Sequence, residues 1–281
     1  MENTTSTKNE NLNFNPFKTF DIKKGICDVC GNEYDAEYKM NVPNSTEPKV
    51  FKLEICFSCE REKENKILSK KVEEERKVIR KENLKRMFDE NSLINPKLKS
   101  VTFESYNPTT DELAKAKQIA QRYADNFSLE NPVGLLLIGN YGTGKSHLSV
   151  SIVKELMKKD FECIFISTPK LMTKIRSTYN KQSEYTEDQI INQLSKVDCL
   201  VLDDIGSEST RSNANDNQHT WATSKLFEII DNRIGKHTIF TSNYEPSELQ
   251  KQLGGRNFSR MMENVHVLKM FGEDYRLRDF K

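Results

Sequence analysis

Residues 139–146, Gly-Asn-Tyr-Gly-Thr-Gly-Lys-Ser, constrain this 281-residue chain more than any other stretch. They fit the Gly-x-x-x-x-Gly-Lys-Ser/Thr pattern, with the apolar run GLLLI before them and the helix-like run HLSVSIVKELMKK after them. A short apolar run, a glycine turn and an amphipathic run make a strand–loop–helix unit. The fold expected around such a unit is α/β, with a parallel sheet covered on both faces. Gly139, Gly142 and Gly144 let the backbone turn so that successive N–H groups point at phosphate oxygens, and the following helix adds the positive end of its dipole. Lys145 is expected to reach the β- and γ-phosphates of a nucleoside triphosphate, and the Ser146 hydroxyl to ligate magnesium. The expected nucleotide-binding set is therefore Gly139, Asn140, Tyr141, Gly142, Thr143, Gly144, Lys145, Ser146 and His147.

Periodicity extends the α/β pattern on both sides. Helices are expected at 111–125, 145–159 and 221–232, with helical or mixed chain up to 196. Apolar strands are expected at 134–138, 163–167, 199–203, 237–241 and 265–268. The third of these, CLVLDD at 199–204, ends in two carboxylates. A carboxylate at the C-terminal end of a neighbouring parallel strand lies beside the phosphate loop, where open α/β sheets bind ligands. Asp203 is therefore assigned to magnesium with Ser146, and Asp204 to polarising an attacking water. Because aspartate is one methylene shorter than glutamate, slow hydrolysis is expected. Asn243, just beyond the strand at 237–241, is placed to orient that water. Arg256 and Arg260 in GGRNFSRMMEN, and Arg276 and Arg278 in DYRLRDF, are candidates to neutralise charge during phosphoryl transfer, in their own chain or a neighbour's. Spacing alone does not separate that role from a solvated surface.

Ahead of this domain the composition changes. Residues 1–20 are rich in Asn, Thr and Lys without periodicity and are expected to be a disordered arm. Residues 21–60 hold four of the six cysteines, residues 61–95 form a charge-dense helical linker stopped by Asn95-Pro96, and the α/β domain occupies 96–281. The 43 basic and 42 acidic residues leave a formal charge of +1, so any nucleic-acid site has to be a local patch. No apolar run approaches the roughly 20 residues that span a bilayer, so membrane partners are not expected. Paired cysteines beside a nucleotide motif point to a reducing cytoplasm.

Cys27-x-x-Cys30 and Cys56-x-x-Cys59 offer two thiolates from each of two turns, a set that suits structural zinc with four closed positions. The segment has too few apolar residues to fold alone, so the metal is expected to supply much of its folding energy. The same ligands also suit an iron–sulfur cluster, while a redox dithiol would need only one pair. The expected task is docking to protein or nucleic acid.

Taken together, VTFESY, GLLLIGNYGTGKSHL, CLVLDDIGSE, TIFTSNY, GGRNFSRMME and DYR resemble the bacterial and phage helicase loaders of the DnaC/DnaI group and the related IstB-like ATPases of the AAA+ superfamily. The resemblance covers residues 101–281. It implies an AAA+ P-loop NTPase domain using ATP and magnesium. In it Asn243 would be the sensor I residue, Arg260 the arginine finger that reaches a neighbour's ATP, and Arg276 the C-terminal nucleotide-sensing arginine. It also implies a weak ATPase stimulated by partner or DNA, nucleotide-dependent assembly into an open spiral, binding to single-stranded DNA, and delivery of a hexameric replicative helicase during replication initiation. An N-terminal region, often zinc-bearing in the DnaI-like branch, would grip the helicase.

The chain departs from that pattern at residues 209–221, STRSNANDNQHTW, which are longer and more polar than expected. The N-terminal likeness rests on cysteine pattern and position alone. Rival readings are an IstB-type transposition helper binding duplex DNA, an adaptor that uses ATP as a conformational ligand without hydrolysis, and a small-molecule P-loop kinase. A transposition helper usually begins with a helical DNA-engaging region instead of paired cysteines, and a kinase needs an acceptor pocket and a closing lid.

Overall fold

The computed structural model describes residues 19–42, 47–87, 98–180, 182–207 and 216–280. The arm at 1–18, the helix stop at Asn95-Pro96 and most of the polar segment 209–221 lie outside the described residues, as does the side chain of Arg278. The chain divides into two compact units, Met1–Ile79 and Arg80–Lys281. That division falls inside a helix, upstream of the boundary that composition suggested.

In the first unit, β1 (Thr19–Ile26), β2 (Glu33–Met40) and β3 (Lys49–Lys52) form an antiparallel sheet in that order. β1 takes in Thr19 and Phe20, which pair with Met40 and Lys39, so the strand begins two residues inside the stretch assigned to the arm. Charged side chains dominate these strands. Lys23 and Lys52 meet Glu37 at 3.3 and 3.4 Å, and Tyr38 stacks on Phe51 with ring centroids 5.6 Å apart. Lys23 foremost, then Lys52, hold the Glu37 carboxyl below the usual range. Helix α1 (Phe57–Met87) follows, with Ile67, Leu68, Val72, Val78 and Ile79 exposed along it.

In the second unit, α2 (Asp111–Asp125) starts where the Thr110 hydroxyl accepts the Leu113 N–H, an N-cap. Strand β4 (Gly134–Ile138), helix α3 (Lys145–Lys158), strand β5 (Cys163–Ser167), helices α4 (Thr168–Ser177) and α5 (Glu187–Lys196), and strand β6 (Cys199–Asp203) come next. Helix α6 (Asp216–Asp231), strand β7 (His237–Ser242), helices α7 (Pro246–Leu253) and α8 (Gly255–Met261), strand β8 (Val265–Lys269) and a 3-10 turn (Tyr275–Phe280) complete it. The five strands pair in parallel in the order β5-β6-β7-β4-β8.

Both faces of the inner strands β6, β7 and β4 are buried, so β4 and β6 read as apolar runs, whereas the edge strand β8 exposes His266, Val267 and Lys269. Leu135, Leu137, Val201 and Ile239 point to the face covered by α2 and α3. Leu136, Ile138, Leu200, Leu202 and Phe240 point to the face covered by α4 to α8. Leu84, near the end of α1, is buried in the latter core. Helix α6 begins at Asp216, five residues before the expected start at Trp221. Among the described residues no helix is long and apolar enough to cross a membrane.

Candidate nucleotide site and cysteine cluster

The loop between β4 and α3 is held open by its own backbone and by the elements around it. Gly144 precedes α3 with φ 90°, and a Cβ there would run into the Tyr106 ring. Tyr106 donates its hydroxyl to the Thr143 carbonyl at 2.8 Å, and burial pushes that phenol up to about 12. At Gly139, φ 150°, a Cβ would overlap the carbonyl of Met270, whose own N–H donates to the Ile138 carbonyl at 2.7 Å. The Lys145 ammonium donates to the Gly139 and Asn140 carbonyls at 2.8 and 2.6 Å. Burial pushes Lys145 down to about 8, against the opposing pull of Asp204 and Asp203, and the Arg276 guanidinium reinforces the drop. A buried cation resting on loop carbonyls is a group that gains from an incoming anion.

The carboxylates arrive by a route the sequence did not indicate. The strand beside β4 is β7, not β6, so Asp203 is two strands away from the phosphate loop rather than on its immediate neighbour. Chain order does not give strand order in a sheet built by crossovers. Thr241 on β7 bridges the gap. Its hydroxyl donates to Asp203 Oδ1 at 2.7 Å and accepts the Asp204 N–H at 2.8 Å. Ser146 donates to the same Asp203 oxygen at 2.8 Å. Burial foremost raises the Asp203 carboxyl above its usual range, while Thr241 and Ser146 oppose that. Asp204 sits in the left-handed region at φ 62°, which aspartate tolerates better than most residues, and its Oδ1 accepts from Asn243 Nδ2 at 2.7 Å. Lys145, Ser146, Asp203, Asp204 and Asn243 thus form one polar cluster.

The chain after β8 returns to this cluster. Tyr275 N–H donates to the Gly142 carbonyl at 3.2 Å, Asn140 Nδ2 reaches the Gly272 carbonyl at 3.4 Å, and Arg276 N–H donates to Asp274 Oδ1 at 2.9 Å. Asn140, Tyr141, Asn243, Gly272 and Asp274 line an open cleft of about 400 Å³. Sequence reasoning missed Thr241, Tyr106 and Asp274. A polar residue at a buried strand position was the available signal for Thr241.

Two further expected residues make their side-chain contacts outside this cluster. His147 Nε2 faces the Thr102 carbonyl at 2.9 Å and Ser105 Oγ at 3.2 Å, its ring set edge-on to Tyr106, and burial lowers its pKa. His147 therefore braces the segment before α2. Arg260 shares a small cavity of about 40 Å³ with Gly134, Gly235, Thr238 and Val265, at the N-terminal ends of β4, β7 and β8. The phosphate loop and Asn243 follow the opposite, C-terminal ends of those strands. Arg260 is ion-paired with Asp231.

In the first unit the four cysteines converge. Gly31 N–H donates to the Cys27 carbonyl at 2.8 Å, closing one turn, and Glu60 N–H donates to the Cys56 carbonyl at 3.0 Å, closing the other at the start of α1. Cys56 N–H points at Cys27 Sγ at 3.4 Å, and Cys30 and Cys56 sulfurs are 3.6 Å apart. All four sulfurs lie within 4.8 Å of one another. Tetrahedral zinc with bonds of about 2.3 Å spaces sulfurs about 3.8 Å apart, so the donor set fits that metal.

Residues 60–281 match the family model described as IstB-like ATP binding protein. The chain is 25% identical over 232 residues to the replicative helicase loader DnaC of Buchnera aphidicola subsp. Schizaphis graminum, covering 82% of this chain and 89% of that one. It is 28% identical over 188 residues to the replicative helicase loader DnaC of Escherichia coli K12, covering 66% and 73%. Among solved structures, the crystal structure of the DnaC helicase loader superposes with a TM-score of 0.53 at 24% identity, over 63% of this chain and 99% of that one, a likeness of fold.

Proposed function

The chain belongs to the IstB-like ATP-binding family, with an AAA+ fold in its second unit, and from that premise we propose that it is an ATP-dependent loader delivering a replicative DNA helicase onto single-stranded DNA during replication initiation. The observation that carries this reading is the reach of the likeness to replicative helicase loaders, 82% of this chain and 89% of the Buchnera protein, well beyond a phosphate loop.

In this reading the amides of residues 139–144 and the Lys145 ammonium hold the triphosphate of ATP. Ser146 and Asp203 hold magnesium, which supplies neutralising charge on the phosphates. Their shared hydrogen bond and the burial of Asp203 support that assignment. Asp204, braced by Asn243, orients and accepts a proton from the attacking water. Arg276 senses the nucleotide from the C-terminal segment beside the loop. Arg260 serves the nucleotide of an adjacent copy, which fits its position at the far end of the strands from its own loop. ATP between copies then holds a spiral competent for single-stranded DNA. Turnover is weak alone and stimulated by DNA or helicase, and it releases the helicase. Zinc on Cys27, Cys30, Cys56 and Cys59 ties two turns of the N-terminal module, which docks on the hexameric helicase.

The test is to mix the protein with the replicative helicase of its own host, ATP and single-stranded DNA. Complex formation and faster helicase loading are expected. Neither complex formation nor faster loading would overturn the loader assignment.

A further inference from the structure

Helix α6 carries a stripe that faces α8. Thr223, Phe227 and Asp231 stand four residues apart and so share one face of α6, while Arg256 and Arg260 stand four apart on α8. The two faces interlock. Asn257 Nδ2 donates to the Thr223 carbonyl at 3.3 Å, fixing the start of the pair. One turn on, the half-buried Phe227 ring lies under both guanidinium groups, 4.7 Å from Arg256 and 5.1 Å from Arg260. At the end of the stripe the Asp231 carboxylate takes the Arg260 guanidinium in an ion pair, through an oxygen that is itself buried.

An arginine that must meet a phosphoryl group on another subunit gains from being fixed beforehand. A guanidinium swinging on a free side chain loses rotamer freedom on each engagement, and a displacement of about 1 Å from the productive position can cost about a hundredfold in rate. The Phe227 ring gives the guanidinium a face to lie against, and the Asp231 carboxylate anchors it by charge. Arg256, on the same ring, adds a second positive charge to the same surface. We propose that Phe227 and Asp231 are positioning residues for Arg260, holding it on the subunit surface in the orientation it presents to the nucleotide of an adjacent copy. This inference rests on the reading of Arg260 given above.

The test compares full-length wild type with Arg260→Ala, Phe227→Leu, Phe227→Tyr and Asp231→Asn, reading ATP turnover with single-stranded DNA and, separately, affinity for a fluorescent ATP analogue. Phe227→Leu and Asp231→Asn are expected to lower kcat about tenfold or more. Nucleotide affinity should stay within about twofold of wild type, and Phe227→Tyr should restore turnover because its ring presents the same face. Mixing separates a positioning role from a structural one. Lys145→Ala subunits are expected to bind ATP too weakly to turn it over but carry an intact Arg260, so adding them to Asp231→Asn subunits should recover turnover. Failure to recover would mark Asp231 as merely structural and overturn the inference. Full turnover in Phe227→Leu and Asp231→Asn beside an inactive Arg260→Ala would also overturn it, leaving the reading of Arg260 intact. Full turnover in Arg260→Ala, or none in wild type, would instead overturn that reading.

Discussion

The Ser146 hydroxyl donates to the Asp203 carboxylate across 2.8 Å, joining the first turn behind the phosphate loop to the end of a strand two places away in the sheet. Thr241, on the strand between, completes the join. Thr241→Val removes the donor to Asp203 and the acceptor for the Asp204 N–H at once. The expected cost is about 1–3 kcal/mol in denaturant unfolding. ATP affinity should weaken more in magnesium than in chelator, and equal weakening in both would separate Asp203 from the cation.

Lys145→Ala removes the ammonium that rests on the Gly139 and Asn140 carbonyls. ATP and ADP affinity by calorimetric titration should fall at least about tenfold, with the circular dichroism spectrum of the folded chain retained. Unchanged affinity would remove the phosphate loop as the binding site.

The same lysine sets a pH dependence. Burial lowers it to about 8, so in the free protein the ammonium form declines above that pH. ATP affinity should be flat near neutrality and fall by up to about tenfold per pH unit above about 8, with proton uptake on binding. Stability runs the other way. Between about pH 8 and about 10 the unfolded chain, with an ordinary lysine, binds more protons than the folded one, so this group adds stability as pH rises through that window. Buffers of different ionisation enthalpy measure the uptake, and no uptake at about pH 8.5 would contradict the sign.

Asp204→Asn and Asn243→Ala probe the proposed water site. Both should retain ATP binding, and Asp204→Asn should lower turnover by about a hundredfold or more, since general-base assistance of this kind contributes 10²–10⁴-fold. A steady-state phosphate-release assay checks this. Loss of binding in place of turnover would assign the pair to nucleotide capture.

Elemental analysis should find about one zinc per chain, absent after joint Cys27→Ser and Cys56→Ser replacement. The first unit should lose its strand signal on metal removal while ATP binding persists. Iron in place of zinc, with visible absorption, would favour the cluster alternative.

Much of the second unit was legible in the chain because its inner strands are buried on both faces. The apolar runs at 134–138, 163–167 and 199–203 became β4, β5 and β6 with the same bounds, and the run 111–125 became α2. What sequence could not give was lateral order. The placement of β7 between β4 and β6, and with it the bridging role of Thr241, depends on crossovers that leave no periodic trace. The return of Gly272, Asp274 and Tyr275 to the phosphate loop was hidden for the same reason. In the first unit, Lys23, Lys24, Glu33 and Glu37 give β1 and β2 no apolar alternation, so strands paired through ions and cysteine-held turns read as featureless. The four cysteines announced a cluster without announcing the sheet beside it.

The small cavity that seats Arg260 and the loop that surrounds Lys145 lie at opposite ends of the same strands. If copies join through these two features as proposed, they stack head to tail, with unlike faces meeting at every junction. Such a stack is directional. Unless it closes into a ring, one terminal copy keeps a nucleotide that no neighbour's guanidinium reaches, so its hydrolysis should lag behind the rest and its end should be the last to let go.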